Sequence, residues 1–342
     1  MPLATSSALV LAALLASCGP AWRPRQADFT LAACEPLPAL PAPEDWRFAA
    51  LPDPVLLPGP PGAWDSVDLL NPSVLRRDGL FYNLYSGFDG RTWRTGLATS
   101  PDGRNWQKAA TNPVLGPLPG TWEGDYIAAN GSALHDGREF LYWYQAGRPP
   151  RIGLARSPDA LAWTRAGSPV LEPGPPGAWD DAGVADPYVL RCGPTYYMYY
   201  LGQNRRALQR LGVARSPDGV HWQKLLDNPL LDLGPPGAFD ERGLGEPAVF
   251  RAGPEFLMIY TGRDRAEQRR LGAARSPDGV RWRRAPLPEP IAGDRPWNSR
   301  VVCDPALWAG DGRLWLWFGG GDMPSPDENL HGRVGLAIME LH

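Results

Sequence analysis

The feature that most constrains this chain of 342 residues is a unit that recurs five times. Each copy opens with an aromatic residue followed by an acid or amide and continues through short apolar runs. Four copies then reach a Ser-Pro-Asp step and a Trp. The aromatic anchors, spaced by 57 to 60 residues, are Trp64, Trp122, Trp179, Phe239 and Trp297. A period near 58 with four strand patterns per unit is typical of a β-propeller. The sequence therefore predicts one all-β domain, a five-bladed β-propeller, over residues 45–342.

The third unit shows how each copy divides into strands. Residues 185–190, 196–201 and 210–215 are rich in aromatic and branched apolar residues and are predicted as its first three strands. A fourth strand is expected after Trp222. Between the third and fourth, Ser-Pro-Asp-Gly has a Pro at its second and a Gly at its fourth position, which suits a type I turn.

The last unit lacks its turn and fourth strand, because the sequence ends shortly after residues 333–339. A matching fragment occurs near the start, where Trp46 and the run 53–56 (Asp-Pro-Val-Leu) resemble Trp106 and the run 112–115 (Asn-Pro-Val-Leu). We therefore expect an N-terminal strand from residues of about 45 to 57 to close the last blade. Such closure leaves no unpaired inner edge.

The N-terminus is predicted to lie outside the propeller. Residues 1–17 have an apolar stretch of signal-peptide length and end next to Cys18, in a Leu-Ala-Ser-Cys step similar to a bacterial lipobox. Cys18 is the predicted lipidation site, and the Pro- and Ala-rich residues 18–44 are a predicted tether. The expected location is the bacterial cell envelope, with a lipid anchor in the membrane; plain secretion is the alternative.

Charge and cysteine content narrow the function. The net charge of −3 without a basic stripe argues against nucleic acid as a partner. Cys34, Cys192 and Cys303 permit at most one disulfide, whose pairing the sequence leaves open, and no Cys/His spacing predicts a metal site. We expect a monomer that needs no cofactor.

The seventh residue after the aromatic anchor differs between units in a way that indicates a site. Four units carry Asn71, Asp186, Glu246 or Asp304 before a Pro, and the second unit carries Asn130 one position later, before a Gly. These five residues open the innermost strands, so a propeller brings them to one mouth of its channel. The acids beside the anchors, by contrast, recur in nearly every unit and are interpreted as structural.

Three carboxylates at one mouth favour acid–base chemistry. Burying three acids around one axis costs several kcal/mol unless they are paired or hydrated. Close carboxylates push their pKa values apart and so create an acid and a base. Hydrolysis of a glycosidic bond is the reaction that typically uses such a set. The alternative is a central-channel cation or water cluster held by the same acids.

Loops at the same mouth supply candidate substrate-binding residues. They are Arg91, Trp93, Arg205, Arg263 and His331, joined by the amides of Asn71 and Asn130. Trp93 falls outside the repeated Trp positions, and an aromatic ring beside a carboxylate pocket can stack on a sugar.

The repeat region resembles the five-bladed propeller glycosidases, which include glycoside hydrolase families 43, 32, 68, 62, 117 and 130. The motif Ala-Thr-Ser-Pro-Asp-Gly-x-x-Trp at residues 98–106 carries the resemblance. It implies hydrolysis, or less often transfer or phosphorolysis, of furanosides such as arabinose or fructose, or of related sugars. By residue type, Glu246 is the predicted general acid, Asp186 the base or nucleophile, and Asp304 a residue that orients them.

Further possibilities remain open at this stage. Asp68 and Asp125 are reserve acids. A non-catalytic carbohydrate-binding or surface-scaffold propeller is the main alternative function, in which Asn71 and Asn130 record a lost active site. A glycoside phosphorylase is a third possibility, in which loop arginines hold phosphate.

Overall fold

The computed structural model describes residues 28–31, 34, 40, 45–286 and 293–341. Within these residues the regular elements are β strands and a short 3-10 helix, Pro296–Asn298, which confirms the predicted all-β class. None of their helices has the length and apolarity to cross a membrane. The predicted signal peptide and Cys18 lie outside the described residues.

Strand β1 (Ala49–Ala50) precedes five units, and each unit has three long antiparallel strands. The long strands are β2 (Asp68–Arg77), β3 (Leu80–Phe88) and β4 (Trp93–Ser100); β6 (Ile127–His135), β7 (Phe140–Ala146) and β8 (Arg151–Ser157); β10 (Gly183–Cys192), β11 (Thr195–Gln203) and β12 (Gln209–Ser216); β14 (Gly243–Ala252), β15 (Glu255–Arg263) and β16 (Arg269–Ser276); and β18 (Val301–Gly310), β19 (Arg313–Gly321) and β20 (Arg333–Glu340). Four units add a short strand: β5 (Gln107–Lys108), β9 (Thr164–Arg165), β13 (Gln223–Lys224) and β17 (Arg283–Ala285).

The first strands of the units lie side by side. Strand β2 contacts β6, β6 contacts β10, β10 contacts β14, β14 contacts β18, and β18 contacts β2. The third strand of three units also pairs in parallel with the first strand of the next, as in Gln209 with Gly243. Residues at equivalent places in neighbouring first strands therefore lie close together.

The segment before the first unit pairs with the last strand. Ala49 pairs with Ile338, and the N–H of Val55 donates to the carbonyl of Val334 at 2.8 Å. Trp46 is fully buried in the apolar cluster shared by the fourth and fifth units. The N-terminal segment thus occupies, in the fifth unit, the position that a short fourth strand occupies in the others.

The acid that follows four of the aromatic anchors is a buried structural group. Asp65 is 2% exposed, and its Oδ2 accepts hydrogen bonds from the hydroxyl of Tyr85 at 3.2 Å and from Nζ of Lys108 at 2.5 Å. Equivalent sets are Glu123 with Tyr144 and Arg165, Asp180 with Tyr200 and Lys224, and Asp240 with Tyr260 and Arg284. These sets confirm the structural interpretation of the recurring acids.

Part of the predicted tether packs against the domain. Phe29 and Leu31 are less than 10% exposed and lie in the apolar cluster shared by the third and fourth units. The N–H of Leu31 donates to the carbonyl of Asp278 at 3.0 Å. A disulfide joins Cys34 to Cys192 at the end of β10, which settles the pairing that the sequence left open. The described residues of the predicted tether are therefore docked onto the domain.

Candidate active site

A β-bulge shapes the start of every first strand. The pairing of each first strand with its neighbour shifts register at the position that the sequence singled out. The residues at the bulges have left-handed backbones, with φ between 45° and 52°: Asn71, Asn130, Asp186, Glu246 and Asp304. Non-glycine residues with such φ values are strained and cluster at functional sites. The five units thus hold five polar side chains in one repeated conformation.

These five side chains converge as predicted. All of them line a cavity of about 430 Å³, and all of them also border a second cavity of about 370 Å³. The first cavity is bordered by the loops at the start of the first strands, and the second by the continuation of those strands. The five residues therefore form a polar constriction between a mouth and the channel behind it.

Asp304 is the most completely enclosed of the three acids, with 5% of its surface exposed. Asn71 donates to it twice, from its backbone N–H to Oδ2 at 3.1 Å and from Nδ2 to Oδ1 at 2.9 Å. The backbone N–H of Asp304 lies 3.3 Å from Oε2 of Glu246 and 3.1 Å from Oγ1 of Thr261. The backbone of Asp304 thus positions the Glu246 carboxylate.

Asp186 lies on the other side of Glu246. Nδ2 of Asn130 donates to Oδ1 of Asp186 at 3.2 Å. Asn130 is itself fixed by Ser86, because its backbone N–H and its Oδ1 each hydrogen-bond to the Ser86 hydroxyl at 2.9 Å. The two asparagines predicted to bind substrate therefore hold Asp304 and Asp186 in place.

The two aspartates favour their protonated forms. Burial, and then the nearby Glu246 carboxylate, raise the pKa of Asp186 to about 8. Burial and the charge of Glu246 also raise the pKa of Asp304 well above its usual value. A carboxyl group with a raised pKa can donate a proton at neutral pH. The site thus holds three carboxyl groups, of which two have raised pKa values.

Two buried arginines border the site, and the sequence analysis missed one of them. Arg263 and Arg269 each have 7% of their surface exposed. Burial alone lowers the pKa of the Arg269 guanidinium, but the negative charge of Glu246 and other nearby groups outweighs this and leaves that pKa raised. Arg269 opens β16, seven residues before the Ser of the Ser-Pro-Asp step, at a position where other units carry Trp93, Pro150 and Gln209. Because the residue at that position differs between units, comparison of the units could have indicated Arg269 as a site residue.

Three predicted binding residues are not among the described residues that line the cavity. Arg91 is exposed, and Nε of Arg205 lies 3.3 Å from Asp181 with 71% of the arginine side chain exposed. Nδ1 of His331 lies 2.7 Å from Oδ1 of Asp322. Loop side chains at the rim follow the local turn, which the repeat pattern does not fix. The role of these three residues in substrate binding stays a prediction, from places outside the cavity lining.

Trp93 and the two reserve acids, Asp68 and Asp125, differ in whether they line the cavity. Trp93 lines the cavity but is 4% exposed and stacks on Phe88 with ring centroids 4.8 Å apart. Asp125 is exposed. Asp68 is buried and accepts hydrogen bonds from the backbone N–H groups of a loop at the mouth. Neither reserve acid lies among the residues that line the cavity.

One group near the constriction has the composition of a metal site. Ligand atoms of Glu246, Cys303 and Asp304 all lie within 4.8 Å of one another. Burial and the neighbouring carboxylates, however, raise the pKa of the Cys303 thiol well above its usual value. The thiol therefore keeps its proton unless a bound cation displaces it.

Comparison with known sequences gives relatives without a named activity. No protein-family model matches the chain. The chain is similar to Rv1502, an uncharacterized protein of Mycobacterium tuberculosis, with 24% identity over 225 residues, which are 61% of this chain and 72% of that protein.

Comparison of folds gives neighbours of one kind. BT0996, solved as a complex with RGII, superposes with a TM-score of 0.71 at 17% identity, over 86% of this protein and 92% of that one. The catalytic domain of a Coprinopsis cinerea GH62 α-L-arabinofuranosidase gives 0.66 at 14% identity, over 87% and 98%. A protein from work on β-1,2-mannoside-cleaving members of the GH130 mannoside phosphorylase family gives 0.66 at 20%, over 88% and 96%. The resemblance to five-bladed propeller glycosidases is confirmed at the level of the fold.

Proposed function

We propose that this protein is a glycoside hydrolase. The observation that carries the proposal is the Glu246 carboxylate between Asp186 and Asp304, two acids with raised pKa values, at the base of a cavity of about 430 Å³. Cleavage of a glycosidic bond needs one carboxylic acid to protonate the leaving oxygen and one carboxylate opposite it. Glycosidase neighbours of the same fold support this reading.

The electrostatics favour a particular division of roles. Asp186 is the proton donor, because its raised pKa of about 8 keeps the proton available at neutral pH. Glu246 acts as the base or nucleophile, and Asp304 positions it. This exchanges the roles that residue type alone assigned to Asp186 and Glu246. The leaving group then receives the Asp186 proton as the glycosidic C–O bond breaks, while water or Glu246 attacks the anomeric carbon.

The proposed architecture is a closed five-bladed propeller. Its support is the contact of β18 with β2 and the pairing of β1 with β20. Residues 45–57 then complete the fifth blade. The ring brings the five bulge residues to one axis.

The proposed substrate is a furanoside or related sugar, bound at the mouth beside these residues.

The proposed location is the cell envelope, with Cys18 lipidated and residues 1–17 removed. A disulfide between Cys34 and Cys192 supports export, since disulfides persist in oxidising compartments. Expression with a radiolabelled fatty acid tests the anchor. Label should appear in the wild type and be lost in Cys18→Ser; equal labelling of both would exclude this anchor.

The activity is tested with a panel of nitrophenyl furanosides and pyranosides together with arabinan, fructan, xylan and mannan, with and without inorganic phosphate. Hydrolysis should occur without phosphate and fall by about 10²-fold or more in Glu246→Gln. Dependence on phosphate would instead identify a phosphorylase. Binding of a polysaccharide with no turnover would identify a carbohydrate-binding propeller.

The roles are separated by the leaving group. Loss of the proton donor matters little when the leaving group is a good one, such as dinitrophenolate, whereas loss of the base or nucleophile slows every substrate. Asp186→Asn should therefore retain activity on a dinitrophenyl glycoside and lose it on the natural linkage. If Glu246→Gln shows this pattern instead, the roles predicted from residue type are the right ones.

A further inference from the structure

The fifth unit carries an unusually long loop at the mouth of the site. The loop between β19 and β20, residues 322–332, has eleven residues, whereas the equivalent loops of the other four units have four or five. Its residues Pro326, Asp327 and Leu330 line the cavity that contains the carboxyl groups. The β19–β20 loop is therefore a wall of the proposed active site.

One end of the β19–β20 loop is anchored on the first unit. Oδ1 of Asp68 accepts hydrogen bonds from the N–H groups of Leu330 at 3.0 Å and Gly332 at 2.8 Å, and Oδ2 accepts one from Asn329 at 2.6 Å. Leu330 is fully buried against Leu70 and other apolar side chains of the first two units. The backbone here is held by a buried carboxylate and by packing.

The rest of the loop is held from both sides of the mouth. On the fourth unit, the carbonyl of Pro326 accepts hydrogen bonds from Arg263 at 3.1 Å and from Arg269. On the second unit, the hydroxyl of Tyr126 donates to Glu328 at 2.5 Å. The loop thus spans from the fourth unit, past its own fifth unit, to the first and second. This whole side of the mouth is closed by protein.

We propose that this loop makes the site a pocket for the end of a glycan chain, so that the protein removes terminal sugars and does not cut internal bonds. The inference rests on the proposed hydrolase function. An internal cut needs the chain to continue on both sides of the scissile bond. Here the loop and its anchors occupy the space on the side of the fifth and first units and reach the second and fourth. A chain therefore enters from the side of the third unit and ends at the wall.

Products from a defined chain test the proposal. For a sugar that the protein releases from its nitrophenyl glycoside, the matching pentasaccharide should first give monosaccharide and tetrasaccharide. The dye-cross-linked polymer of that sugar, which reports only internal cuts, should release no dye. Early disaccharide and trisaccharide, or released dye, would overturn the proposal. Absence of hydrolysis of every glycoside would instead overturn the proposed function, which is a distinguishable result.

A shortened loop tests the cause. Replacing residues 323–328 with Gly-Gly keeps Leu330 and the Asp68 contacts and should add internal cuts to the product pattern. Tyr126→Phe, which loses only the hydroxyl that binds Glu328, should do so more weakly. Tyr82→Phe, which removes the hydroxyl of a tyrosine outside the cavity lining, is the matched control and should leave the pattern unchanged. If the shortened loop and Tyr126→Phe both still release only terminal sugars, this loop is not the wall and the proposal is wrong.

Hydrogen exchange tests the wall without any substrate. In the wild type, the amides of Asn329, Leu330 and Gly332 should exchange slowly, because they are bonded to Asp68 and buried. Asp68→Asn should speed their exchange while amides of β10 keep theirs. Fast exchange of these amides in the wild type would overturn the proposal even if a terminal sugar is released.

Discussion

Asn71 and Asp304, 233 residues apart in the chain, are joined by two hydrogen bonds, one from the backbone N–H and one from Nδ2 of Asn71. The pair connects the first unit to the fifth at the constriction. An amide suits this place because it donates to a carboxyl oxygen without adding charge. The asparagine is thus a hydrogen-bond partner of the acid.

A carboxyl group at position 71 should make stability depend on pH. In Asn71→Asp the new carboxylate would face Oδ1 of Asp304, and two close carboxylates cannot both ionise cheaply. We expect a loss of about 1–3 kcal/mol in the free energy of unfolding at pH 8 and a smaller loss at pH 5, where the pair shares a proton. Urea denaturation at both pH values measures this. Asn71→Ala is the control. If its loss of unfolding free energy grows between pH 5 and pH 8 by the same amount, the explanation by two carboxylates is wrong.

Ionisation of Asp186 should oppose folding as the pH rises. Its pKa is raised from 3.8 to about 8 in the folded protein, so the fold retains a proton that the unfolded chain releases. The stability from this proton is complete below about pH 4 and is lost as the pH rises toward about 8. Asp186→Asn removes the titrating group and should flatten this part of the stability–pH curve. Parallel curves for the two proteins, measured by urea midpoints, would count against the raised pKa.

The recurring buried acids should depend on their cations. Nζ of Lys224 lies 2.6 Å from Oδ2 of Asp180, whose side chain is 3% exposed. Lys224→Met leaves that carboxylate buried without its cation and should lower the free energy of unfolding by about 2 kcal/mol. Arg205→Met is the control, since its ion pair with Asp181 has an arginine that is 71% exposed and should cost at most about 1 kcal/mol. Chemical denaturation measures both variants. Equal losses of unfolding free energy would contradict the structural role of the Asp180–Lys224 pair.

The disulfide should stabilise the whole domain. It joins Cys34 to Cys192 across 158 residues of sequence and holds the N-terminal segment on the third and fourth units. Removing a native disulfide typically costs about 2–5 kcal/mol, so Cys34→Ser should unfold at a clearly lower temperature. Reductant should lower the melting temperature of the wild type and leave that of Cys34→Ser unchanged. A wild type indifferent to reductant would show that the bond is not formed.

The sequence by itself determined the repeated unit and its strands. In the third unit the strands expected at 185–190, 196–201 and 210–215 lie within β10, β11 and β12. It also determined the five bulge positions and the structural acids. Both follow from periodicity, because side chains at equivalent places in repeated strands must face equivalent surroundings. Comparing the units therefore separated residues that serve every unit from those that differ.

Tertiary structure alone decided which groups act together. Asp68 looks like a spare acid in the sequence, yet it binds backbone N–H groups of residues 329–332, more than 260 positions away. Arg269 lies among the carboxyl groups, while Arg205 points to the rim. The pKa values of Asp186 and Asp304 likewise depend on burial and on Glu246. The physical reason is that electrostatic and hydrogen-bond partners depend on distances between units and on loop conformations, and no periodic pattern specifies these.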